Sequence, residues 1–325
     1  MRFLIQTPNY SMKILALDNN HKLLIEGLAK AGFKVAEDYF SSRKEIMKTI
    51  SEYDGIIIRS RFPIDKEFLE QAQNLKFIGR VGAGLENIDV EYAREKNIAL
   101  FNAPEGNRDA VGEHAVGMLL MLMNRLKIAD NEFRNGIWKR EENRGDELKG
   151  KTVGIIGYGN MGKAFAQKLK GFEVETVCYD IQTNLGDEYA QQVSLSEFFA
   201  ESDIVSLHTP QTRETNGMVH EGFIQSFRKP FYFINTARGK SVVTKDLVKA
   251  LQTGKIKGAC LDVHEYEKSS FEKLDTNELT EDFKFLLQSE KVILTPHIAG
   301  WTHQSGIKLS EIILNKILDW KGKNG

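Results

Sequence analysis

The N-terminal third of the chain alternates short apolar runs with amphipathic stretches. The runs KILAL, FKVAE, GIIIRS and FIGRVG are separated by segments with helical spacing of apolar residues at 21–31, 44–51 and 66–73. Because parallel strands are joined by crossover connections that are usually helices, this pattern predicts a parallel sheet with helices on its faces.

The same pattern begins again at Lys151 and continues through six apolar runs, TVGIIG, TVCYD, DIVSLH, FYFINT, GACLDV and VILTP. A last amphipathic helix is predicted over 308–320. We therefore predict an α/β protein of two doubly wound parallel-sheet domains, in which residues 105–299 are inserted into a discontinuous domain formed by 1–104 and 300–325.

Between the two series, residues 108–135 predict one long helix that is apolar around most of its circumference in its middle third. Such a helix has to be buried on several sides, either in a core or against another subunit. We expect a homodimer that forms through this helix.

Composition and charge narrow the functions open to the 325-residue chain. Lys plus Arg (44) nearly balances Asp plus Glu (45), which favours small-molecule chemistry over binding to nucleic acid or to an anionic membrane. We see no signal peptide and no apolar run that could cross a bilayer, and expect a cytoplasmic protein. Cys178 and Cys260 lie in strand-like runs and are expected to be reduced core residues. No function is assigned to residues 1–11.

A glycine-rich turn, GYGNMG at 157–162, follows the first apolar run of the second series, and Asp180 ends the next run. Such glycines allow a tight turn and close approach of backbone amides to a pyrophosphate, and the acid accepts hydrogen bonds from an adenosine ribose. Asp180 would repel a 2'-phosphate and no Lys or Arg follows it at 181–184, so NAD is favoured over NADP. The alternative is a tight strand-to-helix turn without a ligand. The predicted cofactor-binding residues here are Gly157, Tyr158, Gly159, Asn160, Met161, Gly162 and Asp180.

Two other glycine-rich segments resemble ligand-binding loops. Residues 145–152 match GxxxxGK[ST], but a polar segment precedes the match and a strand follows it. That order is the reverse of what a phosphate loop needs, so we reject a nucleoside triphosphatase. Residues 79–84, GRVGAG, have the wrong spacing for a dinucleotide, and their amides suit a carboxylate.

Three charged residues, Arg238, Glu267 and His297, each come soon after an apolar run of the second series. Ligands of open α/β sheets bind beyond the carboxyl ends of the strands, so these side chains are expected to face one crevice. The alternatives are surface ion pairs for Arg238 and Glu267 and a helix-capping role for His297. We predict no metal site.

These residues lie in motifs that resemble one known family. NTARG, GACLDVHEYE and TPHIAG, with GRVGAGLENID and GYGNMG, are similar to the D-isomer-specific 2-hydroxyacid dehydrogenases, from about Asp54 to the end of the chain. The stretch ENRGDELKGKTVGIIGYGNMG resembles the phosphoglycerate dehydrogenase branch in particular. The resemblance implies a Rossmann NAD-binding domain inserted in a flavodoxin-like substrate domain, and NAD-dependent interconversion of a D-2-hydroxy acid and its 2-keto acid.

The resemblance also implies roles for the charged residues. His297 gives a proton to the alkoxide formed by hydride transfer, Glu267 fixes the imidazole tautomer and favours its protonated form, and Arg238 clamps the substrate carboxylate and carbonyl. Asp262 matches an acid near the nicotinamide carboxamide, and a buried structural acid is the open alternative. The other residues assigned to the cofactor are His208, Thr209, Pro210, Thr236 and Ala237.

Apart from the resemblance, nothing in the sequence gives His208 or His114 a role, and both are expected to be hydrogen-bonded core or turn residues.

Substrate-binding residues are assigned to the first domain. They are Arg59, Ser60, Arg80, Val81, Gly82, Ala83 and Gly84, the last four through their amides. Together with Arg61, the two arginines form a cluster at predicted strand ends that suits a phosphate. This predicts 3-phosphoglycerate and 3-phosphohydroxypyruvate, the pair of serine biosynthesis, as leading substrates. The alternatives are solvated strand-end arginines and a glyoxylate or hydroxypyruvate reductase.

Some features depart from the family pattern. Lys268 stands where proline usually follows the glutamate, a polar insert runs to about Glu290, and Trp301 follows the histidine loop, which leaves the shape of the pocket mouth open. A redox-sensing binding protein of the same fold is the alternative from another class, and the intact catalytic set argues against it. The chain ends soon after Trp320, and we expect no regulatory domain and no feedback by serine.

Overall fold

The computed structural model describes residues 11–267 and 279–324, which fall into two compact units. Of the described residues, 11–107 and 303–324 belong to the first unit, and 108–267 and 279–302 belong to the second. The sequence placed these divisions after 104 and before 300. The first ten residues and Lys268, with the start of the polar insert, lie outside the described residues.

The secondary structure alternates strands and helices throughout. In chain order the elements are β1 (Lys13–Ala16), α1 (Lys22–Lys30), β2 (Lys34–Glu37), α2 (Arg43–Thr49), β3 (Gly55–Ile58), α3 (Lys66–Gln71), β4 (Phe77–Arg80), α4 (Val90–Glu95), β5 (Ala99–Phe101), α5 (Arg108–Met123), α6 (Leu126–Arg134), β6 (Thr152–Ile156), α7 (Asn160–Leu169), β7 (Glu175–Tyr179), β8 (Gln191–Gln192), α8 (Leu195–Glu201), β9 (Ile204–Leu207), α9 (Glu221–Ser226), β10 (Phe231–Asn235), α10 (Thr244–Thr253), β11 (Ile256–Leu261), α11 (Glu281–Gln288), β12 (Val292–Leu294) and α12 (His303–Asn324). Short 3-10 turns lie at Ile50–Glu52, Lys170–Phe172 and Gly239–Ser241.

The first unit is built on a five-stranded parallel sheet in the order β2-β1-β3-β4-β5. The central strand β3, GIII, is buried along its whole length, as expected of a strand covered on both faces. Polar side chains begin the helices around it: Ser42 forms a capping box with Glu45 at α2, and Asp65 caps α3. The strand order is that of a flavodoxin-like fold, with the direction of winding reversed between β1 and β3.

The last helix packs into the first unit. Ile313 and Ile317 of α12 are fully buried, and the ring of Trp320 lies 5.2 Å from the ring of Phe77. The apolar stripe of this helix is therefore core, and the helix is longer than the predicted 308–320.

The second unit contains a seven-stranded sheet in the order β12-β11-β10-β9-β6-β7-β8, with every pair parallel. The order reverses between β6 and β9, as in a Rossmann fold. Cys178 and Cys260 are buried within this sheet as free thiols, and burial raises the pKa of Cys178 to about 11. Together the two doubly wound sheets confirm the predicted fold class.

The predicted single helix over 108–135 is wrong: it breaks into α5 and α6 at Arg125, which has a φ of 54°. The chain returns to cap the end of α5, because the amide of Asp146 donates to the carbonyl of Met123 at 2.9 Å. Gly145 is needed there, since an added Cβ would lie 2.6 Å from the same oxygen. The first glycine of the rejected phosphate-loop match therefore serves a helix end.

The helix α5 is apolar on most sides because its side chains are buried in the core of the second unit. Gly112 lies against the backbone of Ala164 in α7, where an added Cβ would be 3.1 Å from the carbonyl. Within the described ranges, no helix is both long and apolar enough to cross a membrane.

Candidate active site

Each glycine of the turn after β6 has a distinct steric reason. Gly157 has a φ of +88°, and an added Cβ would lie 2.8 Å from the carbonyl of His208. At Gly162 a Cβ would lie 2.2 Å from the carbonyl oxygen of Gly157, so only glycine lets α7 pack this closely on the turn. At Gly159, which precedes the first turn of α7, a Cβ would meet nothing within 4 Å. These are the features of a turn whose middle glycine admits a ligand to the backbone.

Asp180 is held at the end of β7 by two backbone amides. Its Oδ2 accepts from Tyr158 N–H at 2.8 Å and its Oδ1 accepts from Gln182 N–H at 3.0 Å. Each carboxylate oxygen has a second acceptor site, so a ribose hydroxyl can still donate to this group. The side chain of Tyr158 is buried and its hydroxyl donates to Asp187, which leaves only its backbone at the turn.

Ile181, next to Asp180, was missed by the sequence analysis. Its side chain is 91% exposed, although it is apolar. The signal was a single apolar residue in the polar segment that follows the ribose acid. An adenine ring has an apolar face that such a side chain would cover.

Buried polar atoms without partners lie at the ends of the two strands next to the glycine turn. Within the described part of the chain, no hydrogen bond is made by Thr209 Oγ1, which follows β9, or by Thr236 Oγ1, which follows β10. Buried polar atoms are rarely left unsatisfied, so these atoms fit a site that a polar ligand completes. These two hydroxyls and the open space beside Gly159 fit the binding of NAD at this turn. Of their predicted neighbours, Pro210 is exposed and Ala237 is buried.

His208 has the environment of a core histidine. It is buried, its Nε2 lies 2.8 Å from Ser206 Oγ, and burial lowers its pKa to about 3. The ring is therefore neutral, and its assignment to the cofactor stays a prediction.

Arg238 lies on a turn that the side chain of Asn235 spans. The buried Asn235 accepts from Ala237 N–H at 3.0 Å and donates to the carbonyl of Arg238 at 3.0 Å, so the turn after β10 is closed at both ends. Gly239 then passes the His264 carbonyl so closely that an added Cβ would lie 1.9 Å from its oxygen. The sequence analysis missed Asn235, whose signal was an asparagine at a strand end before a turn.

Glu267 and His297 form the pair predicted from the sequence. His297 Nδ1 lies 3.0 Å from Glu267 Oε2, and the other carboxylate oxygen accepts from His264 N–H at 2.6 Å. The carboxylate is thus oriented from the backbone and fixes a proton on Nδ1. Proton exchange with a substrate oxygen then falls to Nε2.

The loop that carries His297 is held by Asp262. His297 has a φ of 55°, and its amide donates to the carbonyl of Asp262 at 2.8 Å. The carboxylate of Asp262, which is 1% exposed, accepts from the amides of Ile298 and Ala299, each at 2.9 Å. This geometry supports the structural alternative for Asp262, and the predicted contact with the carboxamide stays a prediction.

Arg61 does not belong with the predicted phosphate-binding arginines. Its guanidinium donates to the carbonyls of Leu17 and Asp38, at 2.9 and 2.5 Å, and to that of Ser41. Three carbonyls saturate one side of the group and make Arg61 a structural cation. Arg59 and Ser60 follow β3 at the point where the sheet of the first unit reverses. Burial lowers the pKa of Arg59, and the neighbouring Asp18 opposes that shift.

The turn after β4 combines a charged side chain with backbone amides. Arg80 folds over Gly82, where an added Cβ would lie 1.4 Å from Arg80 Nη1. The amides of Val81 and Gly82 donate to the carbonyls of Ile58 and Arg80, at 2.8 and 2.9 Å. Within the described residues, the amides of Ala83 and Gly84 make no such bond, so these two are the better candidates for a substrate carboxylate.

The structure brings Glu267 and His297 into contact, and it joins the Arg238 turn to the loop of Glu267 through Gly239 and His264. Arg59, Ser60 and the turn after β4 belong to the first unit. Among the residues described, no group of three or more His, Cys, Asp or Glu side chains could hold a metal ion.

Comparisons with known proteins agree with this geometry. Residues 116–299 match the family model of the D-isomer specific 2-hydroxyacid dehydrogenase, NAD binding domain. The D-3-phosphoglycerate dehydrogenase of Archaeoglobus fulgidus is 33% identical over 313 residues, which are 95% of this chain and 57% of that protein. The hydroxypyruvate reductase of Thermotoga maritima is 34% identical over 279 residues, 85% of this chain and 88% of that protein.

Among solved structures, the D-lactate dehydrogenase of Aquifex aeolicus, complexed with NAD and lactic acid, superimposes with a TM-score of 0.82 at 28% identity and covers 96% of both chains. The chain therefore spans little more than half of one relative and nearly all of others. The family model covers more than half of the chain, and it falls on the unit with the glycine turn and the Glu267–His297 pair. The chain belongs to the D-isomer-specific 2-hydroxyacid dehydrogenase family and carries its NAD-binding domain.

Proposed function

We propose that the protein is an NAD-dependent oxidoreductase that interconverts a D-2-hydroxy acid and its 2-keto acid. The observation that carries this proposal is the hydrogen bond between His297 Nδ1 and Glu267 Oε2, on a loop that holds His297 in a left-handed conformation. Bound NADH supplies the hydride that reduces the keto carbon. The protein has to hold the substrate, deliver a proton and keep that proton donor aligned.

The three predicted catalytic residues of the second unit each have a separate task in this reaction. Arg238, on its closed turn, binds the substrate carboxylate and carbonyl with a planar pair of donors. His297 Nε2 gives its proton to the carbonyl oxygen as negative charge develops there, and takes it back in the oxidation direction. Glu267 stabilises the imidazolium and keeps its ring oriented.

Replacing His297 by alanine removes the proton donor and leaves the glycine turn intact. We expect turnover of a keto acid with NADH to fall by about two orders of magnitude or more, with the dissociation constant of NADH nearly unchanged. Steady-state kinetics and NADH fluorescence titration measure the two quantities. His303→Ala, at an exposed histidine, is the matched control. Parallel losses in NADH affinity and turnover would show that His297 is structural.

Cofactor choice follows from Asp180. A 2'-phosphate at this carboxylate would meet like charge without a partner, so we expect NADH to exceed NADPH by at least about tenfold in kcat/KM, which is roughly 1.4 kcal/mol or more. Asp180→Ala is expected to reduce that ratio, whereas Glu188→Gln, at an exposed acid nearby, leaves it unchanged. Equal use of both cofactors by the unaltered protein contradicts the assignment.

We further propose that the substrate is phosphorylated, with 3-phosphoglycerate and its keto acid as leading candidates. The support is the pair Arg59 and Arg80 at strand ends of the first unit, with the Ala83 and Gly84 amides beside them for the carboxylate. Similarity to a phosphoglycerate dehydrogenase points the same way. Because Arg61 donates to backbone carbonyls, the arginine cluster offers less positive charge to a phosphate than the sequence predicts. Similarity to a hydroxypyruvate reductase supports an unphosphorylated substrate as the alternative.

A substrate panel distinguishes these alternatives. We expect phosphohydroxypyruvate to be preferred over hydroxypyruvate and glyoxylate, and Arg80→Ala to remove the preference by about 2 to 5 kcal/mol, as for a buried charge pair that loses one partner. Arg94→Ala, at an exposed arginine of α4, is the control. A panel in which hydroxypyruvate or glyoxylate is preferred, unaffected by Arg80→Ala, refutes the phosphate proposal only. No turnover of any keto acid, with NADH still bound, favours the NAD-sensing alternative.

The exposed apolar side chains of α6 and the residues after it support the proposed homodimer. They are Leu126 (54% exposed), Phe133 (64%), Ile137 (43%) and Trp138 (76%). The rings of Phe133 and Trp138 pair at 5.8 Å, so these two side chains form one exposed apolar patch. Contiguous exposed apolar surface of this kind marks an interaction site.

Placing a charge in this patch should dissociate the dimer. We expect the unaltered protein to have the mass of a dimer at micromolar concentration and Trp138→Glu to shift it to the monomer, because an unpaired carboxylate would be buried in the interface. Light scattering after size exclusion measures the mass. Phe40→Glu, at an exposed phenylalanine of the first unit, is the matched control. A monomeric unaltered protein, or a dimeric Trp138→Glu variant, rules out this interface.

A further inference from the structure

His114 is a histidine of α5 that the proposed reaction does not use. Its Nε2 lies 3.1 Å from the hydroxyl oxygen of Thr295, a residue 181 positions further along the chain. The Thr295 hydroxyl in turn lies 2.6 Å from Asp262 Oδ1. Thr295 precedes His297 by one proline, so a line of hydrogen bonds connects α5 to the loop of the predicted catalytic histidine.

The direction of each hydrogen bond in this line is determined. Asp262 is a carboxylate acceptor, so the single hydrogen of the Thr295 hydroxyl points to it. The Thr295 oxygen then accepts, and His114 Nε2 must carry a hydrogen and donate. Both the neutral Nε2–H tautomer and the protonated ring satisfy this requirement.

The loop needs such support because its conformation is unfavourable. A non-glycine residue with a φ of 55°, as at His297, is strained and persists only where the surroundings impose that conformation. Asp262 imposes it through the three amides of His297, Ile298 and Ala299. The His297 amide donates to the backbone carbonyl of Asp262, and the Asp262 carboxylate holds the amides of Ile298 and Ala299. The carboxylate can hold those two amides only while it is itself oriented, and the Thr295 hydroxyl donates to its Oδ1 at 2.6 Å.

We propose that His114 is a positioning residue for the proton transfer, acting through Thr295 and Asp262 on the orientation of His297. This inference rests on the proposed function. His114 touches neither substrate nor cofactor in this role. It fixes the hydroxyl that orients the carboxylate, and the carboxylate fixes the loop.

The experiment compares variants that lose the hydrogen bond with variants that retain it. His114→Phe and Thr295→Val remove the donor and the hydroxyl, whereas His114→Gln and Thr295→Ser keep a donor and a hydroxyl. We expect kcat with NADH to fall about tenfold in the first two variants and to stay within about threefold of the unaltered protein in the conservative two. Losses of this size are typical of residues that orient a functional group by a hydrogen bond without touching the substrate. Glu113→Gln, at the exposed neighbour of His114 on α5, is the control for disturbance of the helix.

Two further measurements separate positioning from a structural effect. In the slow variants the solvent deuterium isotope effect on kcat should increase, because proton transfer becomes rate-limiting, while the dissociation constant of NADH stays within about twofold. The double variant His114→Phe/Thr295→Val should be no slower than Thr295→Val alone, since both changes break one line of hydrogen bonds.

The inference is overturned if His114→Phe turns over like the unaltered protein, if its isotope effect does not change, or if NADH binding falls in parallel with kcat. If His114→Phe does not fold, the Thr295→Val and Thr295→Ser pair gives the same test. Failure of the unaltered protein to reduce any keto acid would instead refute the proposed function itself, and the inference with it.

Discussion

The buried carboxylate of Asp262 is the constraint on which the candidate site depends. A charge that is 1% exposed is costly unless hydrogen bonds compensate it, and here Thr295, Ile298 and Ala299 supply the donors. The same bonds fold the residues after β12 into a turn tight enough to give His297 a left-handed backbone. The hydrogen bonds that compensate the buried charge of Asp262 therefore also place the proton donor His297.

Similar logic holds at the other strand ends of the second unit. Asp180 is pinned by two amides, Glu267 by the amide of His264, and the Arg238 turn by the amide group of Asn235. For Asp180 and Glu267 a backbone amide fixes the carboxylate side chain, and for Arg238 a neutral side chain fixes the backbone turn that carries the residue. Preorganised groups of this kind need little rearrangement when charge develops in a reaction.

Residues of one type take different roles in the first unit. Arg59 and Arg61 follow β3 and Arg80 ends β4, yet the guanidinium of Arg61 donates to three backbone carbonyls. A guanidinium has five donors, and a cluster of carbonyls satisfies them as well as a phosphate does. Charge counts along a sequence therefore overestimate the binding capacity of such a cluster.

The sequence by itself determined the two doubly wound sheets, the glycine turn with its acid, and the set of charged residues after strands. These features depend on residues that are neighbours in the chain: strand and helix periodicity, a turn that needs glycine at 157 and 162, and strand ends that share one edge. Tertiary structure alone decided the break at Arg125, the structural role of Arg61, and the line from His114 through Thr295 to Asp262. Each of these depends on a hydrogen-bond partner that is distant in the sequence. The Asp146 amide bonds the end of α5, and Thr295 lies 181 positions after His114. Local periodicity carries no information on such partners, because only packing brings them within hydrogen-bond distance.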